Sequence, residues 1–290
     1  MLGYLTAVGT MGGIYALLAL GLNLQYGYTG LINFGVVAFY AIGAYTSALL
    51  SLRGVPFAVD FAVAALLAAA FAWPLGLICL RLRDDYLAIV TLAFAEIVRI
   101  VIATEDWLTG GNRGIPGIPR PFVSFGPGAA DLAYLALVLL MVAAAVLITV
   151  RLVGSPFGRV IQAIRDDQDA VRSVGKGPAR FKLVVFMLGA GLTGLAGALY
   201  AHYLTFISPD QFVPLLTFYV WIAVIMGGAG RVSGSIAGAA LLTLFLEGSR
   251  FLRDALPIVS DVQMASVRLA AIGLALILFT LYRPQGLLGR

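Results

Sequence analysis

The stretch DLAYLALVLLMVAAAVLITVRL, residues 131–152, carries charge only near its ends, at Asp131 and Arg151. A helix of that length reaches across the roughly 30 Å hydrocarbon core of a bilayer. A few residues later the pattern inverts. GRVIQAIRDDQDAVRSVGKGPARFK, from Gly158 to Lys182, is a charged island in an otherwise apolar chain. An apolar span followed by a basic, folded-looking island sets the problem: which side of a membrane the island faces, and what it meets there.

Of the 290 residues, 61% are hydrophobic and 11% are charged, against about 25% charged in ordinary soluble domains. That is too little polar material to cover a soluble surface, so the surface faces lipid. The class is all-α and polytopic, with eight to ten transmembrane helices expected, one of them interrupted or re-entrant. The N-terminal run MLGYLTAVGTMGGIYALLALGL has no leading basic residue and is too long for a signal-peptide core, so it reads as a retained span. Further spans are expected at 31–52, 57–80, 86–104, 131–152, 183–206, 214–229, 235–252 and 264–282. GLNLQYGYTGLINFG, residues 21–35, is glycine-rich and polar for its depth. It is the place for a broken or re-entrant helix, tolerated in a bilayer where protein buries the freed backbone groups.

The net charge of +5 comes from basic residues that lie mostly in loops flanking apolar spans, a topology signal rather than a nucleic-acid footprint. The island holds the largest Lys and Arg excess, so it is expected to be cytoplasmic. Loop 105–130 then lies outside, and Arg81, Arg83, Arg231, Arg283 and Arg290 inside. The side of the N-terminus depends on whether 21–35 crosses. Cys79 is the only cysteine and His202 the only histidine, which excludes an internal disulfide and histidine-rich or thiolate metal sites. His202, after Tyr200 near the outer end of a span, reads as part of an interfacial aromatic belt. Two rows of small residues, Gly189/Thr193/Gly197 and Gly230/Gly234/Gly238, have the spacing that lets membrane helices approach closely.

On a helical wheel the island places Val160, Ile161, Ala163, Ile164, Ala170, Val171 and Val174 on one side. The other side holds Arg159, Gln162, Arg165, Asp166, Asp169, Arg172 and Ser173, and only Asp167 and Gln168 break the pattern. Two short amphipathic helices joined by a polar turn near Asp167 fit this, ended by Gly175-Lys-Gly-Pro178. Such a projection has one apolar face to lay on a membrane or dock into a partner.

Asp169-Ala-Val-Arg-Ser-Val-Gly175 resembles the Glu-Ala-Ala-x-x-x-Gly signature of ABC importer permeases, with Val171 in place of the second alanine. The wider chain resembles permeases of the high-affinity branched-chain amino-acid uptake family. The matching stretches are GYTGLINFGVVAFYAIGAY (27–45), YLAIVTLAFAEIVR (86–99), LTGGNRGIPGIP (108–119), the block 155–212, MGGAGRVSGSIAGA (226–239) and RPQGLLG (283–289). They occur in order and cover most of the chain. One departure is Gly35-Val36, where many members carry Gly-His. The resemblance implies a single permease domain over 1–290 with a cytoplasmic coupling loop at about 153–182. Asp169, Ala170 and Gly175, with Arg165 and Arg172, would engage a cytoplasmic ATPase. It also implies a second, usually different, permease subunit, a periplasmic or extracellular substrate-binding protein and a bacterial-type plasma (inner) membrane. Gly110, Gly111, Asn112 and Arg113 of the outer loop are candidates for contact with that binding protein or for an outer gate.

No G-x-x-x-x-G-K-[ST] occurs; the two lysines, Lys176 and Lys182, precede Gly and Leu. ATP and Mg would therefore sit on a partner polypeptide, and this chain is expected to carry no cofactor and no catalytic site of its own. Within the spans, Glu96 and Arg99 lie three apart, as do Glu247 and Arg250. Such pairs offset desolvation, and either fix helix register or line the path of a zwitterion. A secondary carrier or channel for small polar solutes is the competing class; it lacks an inverted repeat or a chain of membrane acids here. Relatives that move urea or short amides leave the cargo open.

Overall fold

The structure, a computed structural model, describes residues 2–79, 84–126 and 128–255, with isolated positions between 270 and 287. Among these residues the helices are α1 (Leu2–Thr29), α2 (Val36–Leu52), α3 (Phe57–Cys79), α4 (Asp84–Thr104), α5 (Asp106–Thr109), α6 (Ala129–Gly154), α7 (Pro156–Asp166), α8 (Gln168–Ser173), α9 (Pro178–Leu204), α10 (Pro214–Gly227) and α11 (Val232–Ala255). Six helical segments are long and apolar enough to cross a membrane, and α2 and the 232–247 part of α11 are shorter apolar helices. The expected spans thus appear in order, with ends shifted by a few residues. The last, at 264–282, falls largely outside the described residues, as do Arg81, Arg83, Arg283 and Arg290.

These helices need no amphipathic stripe, because lipid covers what protein does not. Burial therefore separates centre from rim. The apolar stretches of α1 and α9 are 61% and 56% buried, those of α4 and α6 22% each. α9 packs on α1, α2 and α3, while α1 also meets α6, α10 and α11. The small-residue rows do this packing. A side chain at Gly197 would strike the backbone of Tyr40 in α2, and one at Gly238 the backbone of Ala223 in α10. Close backbone approach is what binds helices where hydrophobicity cannot.

α1 runs from the end bearing Leu135, beside Gly9, to the end bearing Arg165 of α7, beside Gly30. Its start therefore lies at the same end as loop 105–128, opposite the island. The interrupted element differs from the expectation. α1 stays helical through Gly21 and Gly27, and the break occupies residues 30–35 alone, turning the chain into α2. Asn23 and Gln25 are polar without breaking the helix, because both side chains reach neighbouring carbonyls: Asn23 Nδ2 donates to Arg231 O (2.8 Å) and Gln25 Nε2 to Phe186 O (2.9 Å). At the far end a two-residue ladder, Ile115–Pro116 (β1) with Phe206–Ile207 (β2), ties the outer loop to the exit of α9. The sequence reading held no strand.

Candidate functional site

The island folds as two helices broken at Asp167, as its periodicity requires. Ser155 starts α7, its Oγ accepting from the Gly158 amide at 3.3 Å, with Pro156 in the first turn. Asp167, one of the two residues off the wheel pattern, is the cap of α8. Its Oδ1 accepts from the amides of Asp169 and Ala170, both at 2.9 Å. Asp169 instead pairs with Arg172 at 2.7 Å on the exposed surface. Gly175 takes φ +80°, the left-handed turn that stops α8. The apolar face is only partly used within the chain. Ile161, Ile164 and Val171 are buried, Ile161 against Leu24, Tyr28 and Val185. Ala163, Ala170 and Val174 stay exposed, Val174 at 71%.

Arg165 turns toward the membrane helices. Its Nη1 donates to the Gly27 carbonyl of α1 at 2.5 Å. A carbonyl near a helix C-terminus lacks an intrahelical donor and carries partial negative charge, so the guanidinium suits it. This contact adjoins the break at 30–35, where the Gly30 and Leu31 amides still donate to carbonyls of α1 and further freed backbone groups are met by side chains. Phe34 N donates to Thr91 Oγ1 of α4 (3.0 Å), Gly35 N to Asn33 Oδ1 (2.7 Å), and Trp221 Nε1 of α10 to Asn33 O (3.0 Å). Asn33 Nδ2 donates in turn to Gln25 Oε1 at 2.8 Å. The Trp221 ring lies 4.5 Å from that of Tyr26 and 5.1 Å from that of Phe34. Island, break, α4 and α10 thus form one connected polar and aromatic network.

Glu96 and Arg99 do pair, Nε to Oε2 at 2.9 Å, on a half-exposed face of α4. Glu247 is half-buried on α11, and the side chain of Arg250 lies outside the described residues. Gly110 and Gly111 adopt positive φ in the outer loop, with Asn112 and Arg113 exposed beside them.

His202 is not an interfacial residue. It is fully buried, with Nδ1 2.6 Å from Pro119 O and Nε2 2.9 Å from Ser47 Oγ and 3.2 Å from Asp60 Oδ2. The edges of Phe57 and Phe61 pack on its ring. Tyr200 suggested a belt, but α9 sits at the centre of the bundle, so its end is covered by α2, α3 and the outer loop. The sequence reading passed over Asp60 and Ser47. The signal was a lone carboxylate inside FAVDFAVAALL, which a bilayer admits only with a partner.

The same chain resembles known transport proteins along nearly its full length. It is 36% identical to the high-affinity branched-chain amino acid transport system permease protein LivM of Salmonella typhimurium, over 97% of this chain and 69% of that protein. It is 26% identical to the permease LivH of the same organism and 28% identical to the permease BraD of Pseudomonas aeruginosa, each over 97% of this chain and 93% of the relative. No solved structure matches it. The profile of the branched-chain amino acid transport system permease component matches residues 4–280, and the chain belongs to that family.

Proposed function

We propose that the chain is one transmembrane half of an ATP-driven importer for branched-chain or related amino acids, powered by a separate cytoplasmic ATPase. Family membership makes it a transport permease in a membrane; the drive is the added step. The observation that carries it is the island: a two-helix projection with an exposed apolar patch outward and Arg165 bonded to the end of α1 inward. A groove on the ATPase takes the patch around Ala170 and Val174, in the way helices dock into grooves generally. Closure of the ATPase, which holds ATP and Mg, pulls α7, and the Arg165–Gly27 contact passes that motion to α1 and the break. The island then faces the cytoplasm, where its basic excess places it. LivM and LivH of one organism are both permease proteins of a system of that name, which supports a second, different permease as partner. The outer loop around Gly110–Arg113 receives a substrate-binding protein on the opposite face of a bacterial plasma membrane.

Tagged chain from gently solubilised native membranes should co-purify with an ATPase and a second permease. Proteoliposomes of that complex should take up leucine only with ATP inside the cytoplasmic compartment. Recovery of the chain alone across several detergents, or uptake indifferent to ATP, would overturn the proposal in favour of a carrier.

A further inference from the structure

At the end opposite the island a cavity of about 260 Å³ opens between the start of α1, the start of α6 and the end of α9. Charges of both signs line it. Arg120 and Asp131 border it together with Thr6, Thr10, Tyr203 and Leu204. Arg120 is held firmly. Its guanidinium lies 5.5 Å from the centroids of both the Tyr134 and Tyr203 rings, and its Nη2 pairs with Asp131 Oδ1 at 2.7 Å. The carbonyl just before it, Pro119 O, is fixed by the buried His202. Yet Arg120 Nε is buried with no hydrogen-bond partner. Nε has no surface open to the cavity, so a ligand acceptor would meet Arg120 through the part of its guanidinium side chain that lines the cavity. Asp131 is only partly covered, its side chain 35% exposed. Thr6 and Thr10 spend their protons on carbonyls of their own helix, at 2.9 and 2.8 Å, which leaves hydroxyl oxygens free to accept.

We propose that this cavity is a binding subsite for the free α-amino acid at the outer mouth of the permease. The ligand carboxylate meets Arg120, its ammonium meets Asp131 and the threonine oxygens, and its side chain lies against Leu204. A ligand with an ammonium and an anionic group a few bonds apart matches a cavity that presents the opposite pair. The volume is just below the range typical of drug-sized ligands, as suits a single amino acid. The inference rests on the amino-acid permease reading above. Without a ligand the Arg120–Asp131 pair closes on itself, so the charges are not left bare.

The test uses the assembled transporter in nanodiscs of phosphatidylcholine and phosphatidylglycerol, without binding protein, and reads leucine by saturation-transfer NMR. ATP-driven leucine uptake by the wild-type complex in sealed proteoliposomes checks the underlying reading separately. Leucine should give a signal, and Arg120→Gln and Asp131→Asn should each weaken its apparent affinity about tenfold or more. As a check that needs no variant, 4-methylvalerate and isoamylamine, each lacking one charge, should compete about tenfold less well than unlabelled leucine. Active wild-type complex whose leucine signal survives Arg120→Gln unchanged, or is displaced equally by the one-charge analogues, overturns the subsite. So does a cavity that ignores leucine but takes phosphatidylethanolamine when that lipid is added, which would make it a headgroup site.

Discussion

His202, Asp60 and Ser47 illustrate how strongly a buried position constrains chemistry. Pro119 O can only accept, so Nδ1 donates to it, and Nε2 faces Asp60 Oδ2 at 3.2 Å, so each ring nitrogen has a partner. Ser47 Oγ completes the set by donating to Asp60 Oδ1 at 2.9 Å. Removing one member leaves the other buried without its partner, which costs about 1–3 kcal/mol or more, whereas replacing both with apolar residues costs less. Asp60→Leu and His202→Leu should therefore each lower the thermal unfolding midpoint of the detergent-solubilised protein more than the double variant does. Additive losses would mean that the two residues do not act as a pair. A single histidine and a lone intramembrane acid were both visible as residues. Their pairing was not, because 142 positions separate them in the chain and packing, not periodicity, brings them together.

The island was the most legible element. Its wheel pattern, its interruption and its Gly-Pro ending all reappear as α7, Asp167 and Gly175, because amphipathic period and capping chemistry are local. What escaped was the division of labour within it: Asp167 rather than Asp169 makes the cap, and Arg165 points back into the bundle. The exposed turn at Gly175 separates two effects. A side chain there meets nothing within 4 Å, so alanine adds only the strain of a left-handed backbone, about 1–2 kcal/mol. Proline cannot reach φ +80° at all and deletes the amide that donates to Arg172 O at 3.0 Å. Gly175→Pro should insert and assemble normally yet lose stimulated ATPase activity, with Gly175→Ala intermediate. Full stimulation in the proline variant would remove α8 from the coupling path. The break at 30–35 was the least legible element. Glycine and polar residues flagged the region 21–35 as a whole, but the side chains that satisfy an open backbone decide where a helix stops, and these come from α4 and α10.

The whole molecule follows a central pair, α1 and α9, ringed by helices that lend their outer faces to lipid or to a partner. The topology makes a direct prediction. Cys79 is buried, so single cysteines can be read in a Cys79→Ala background. Leu5→Cys and Val123→Cys, exposed by 65% and 63%, should react with an impermeant maleimide from one side of sealed vesicles, and Val174→Cys from the other. Labelling of Leu5→Cys and Val174→Cys from the same side would break the arrangement. Composition and hydropathy were enough to establish an all-helical membrane protein, the order of its described spans and the place of the island along the chain, because lipid solvation acts on short stretches; the permease reading came from the motifs that resemble a known family. The side on which α1 starts, the exact break, the buried His202–Asp60 pair and the Arg120–Asp131 cavity emerged from the packed helices alone. Each of them depends on groups far apart in sequence that meet because a low-dielectric interior leaves a polar atom no water to turn to.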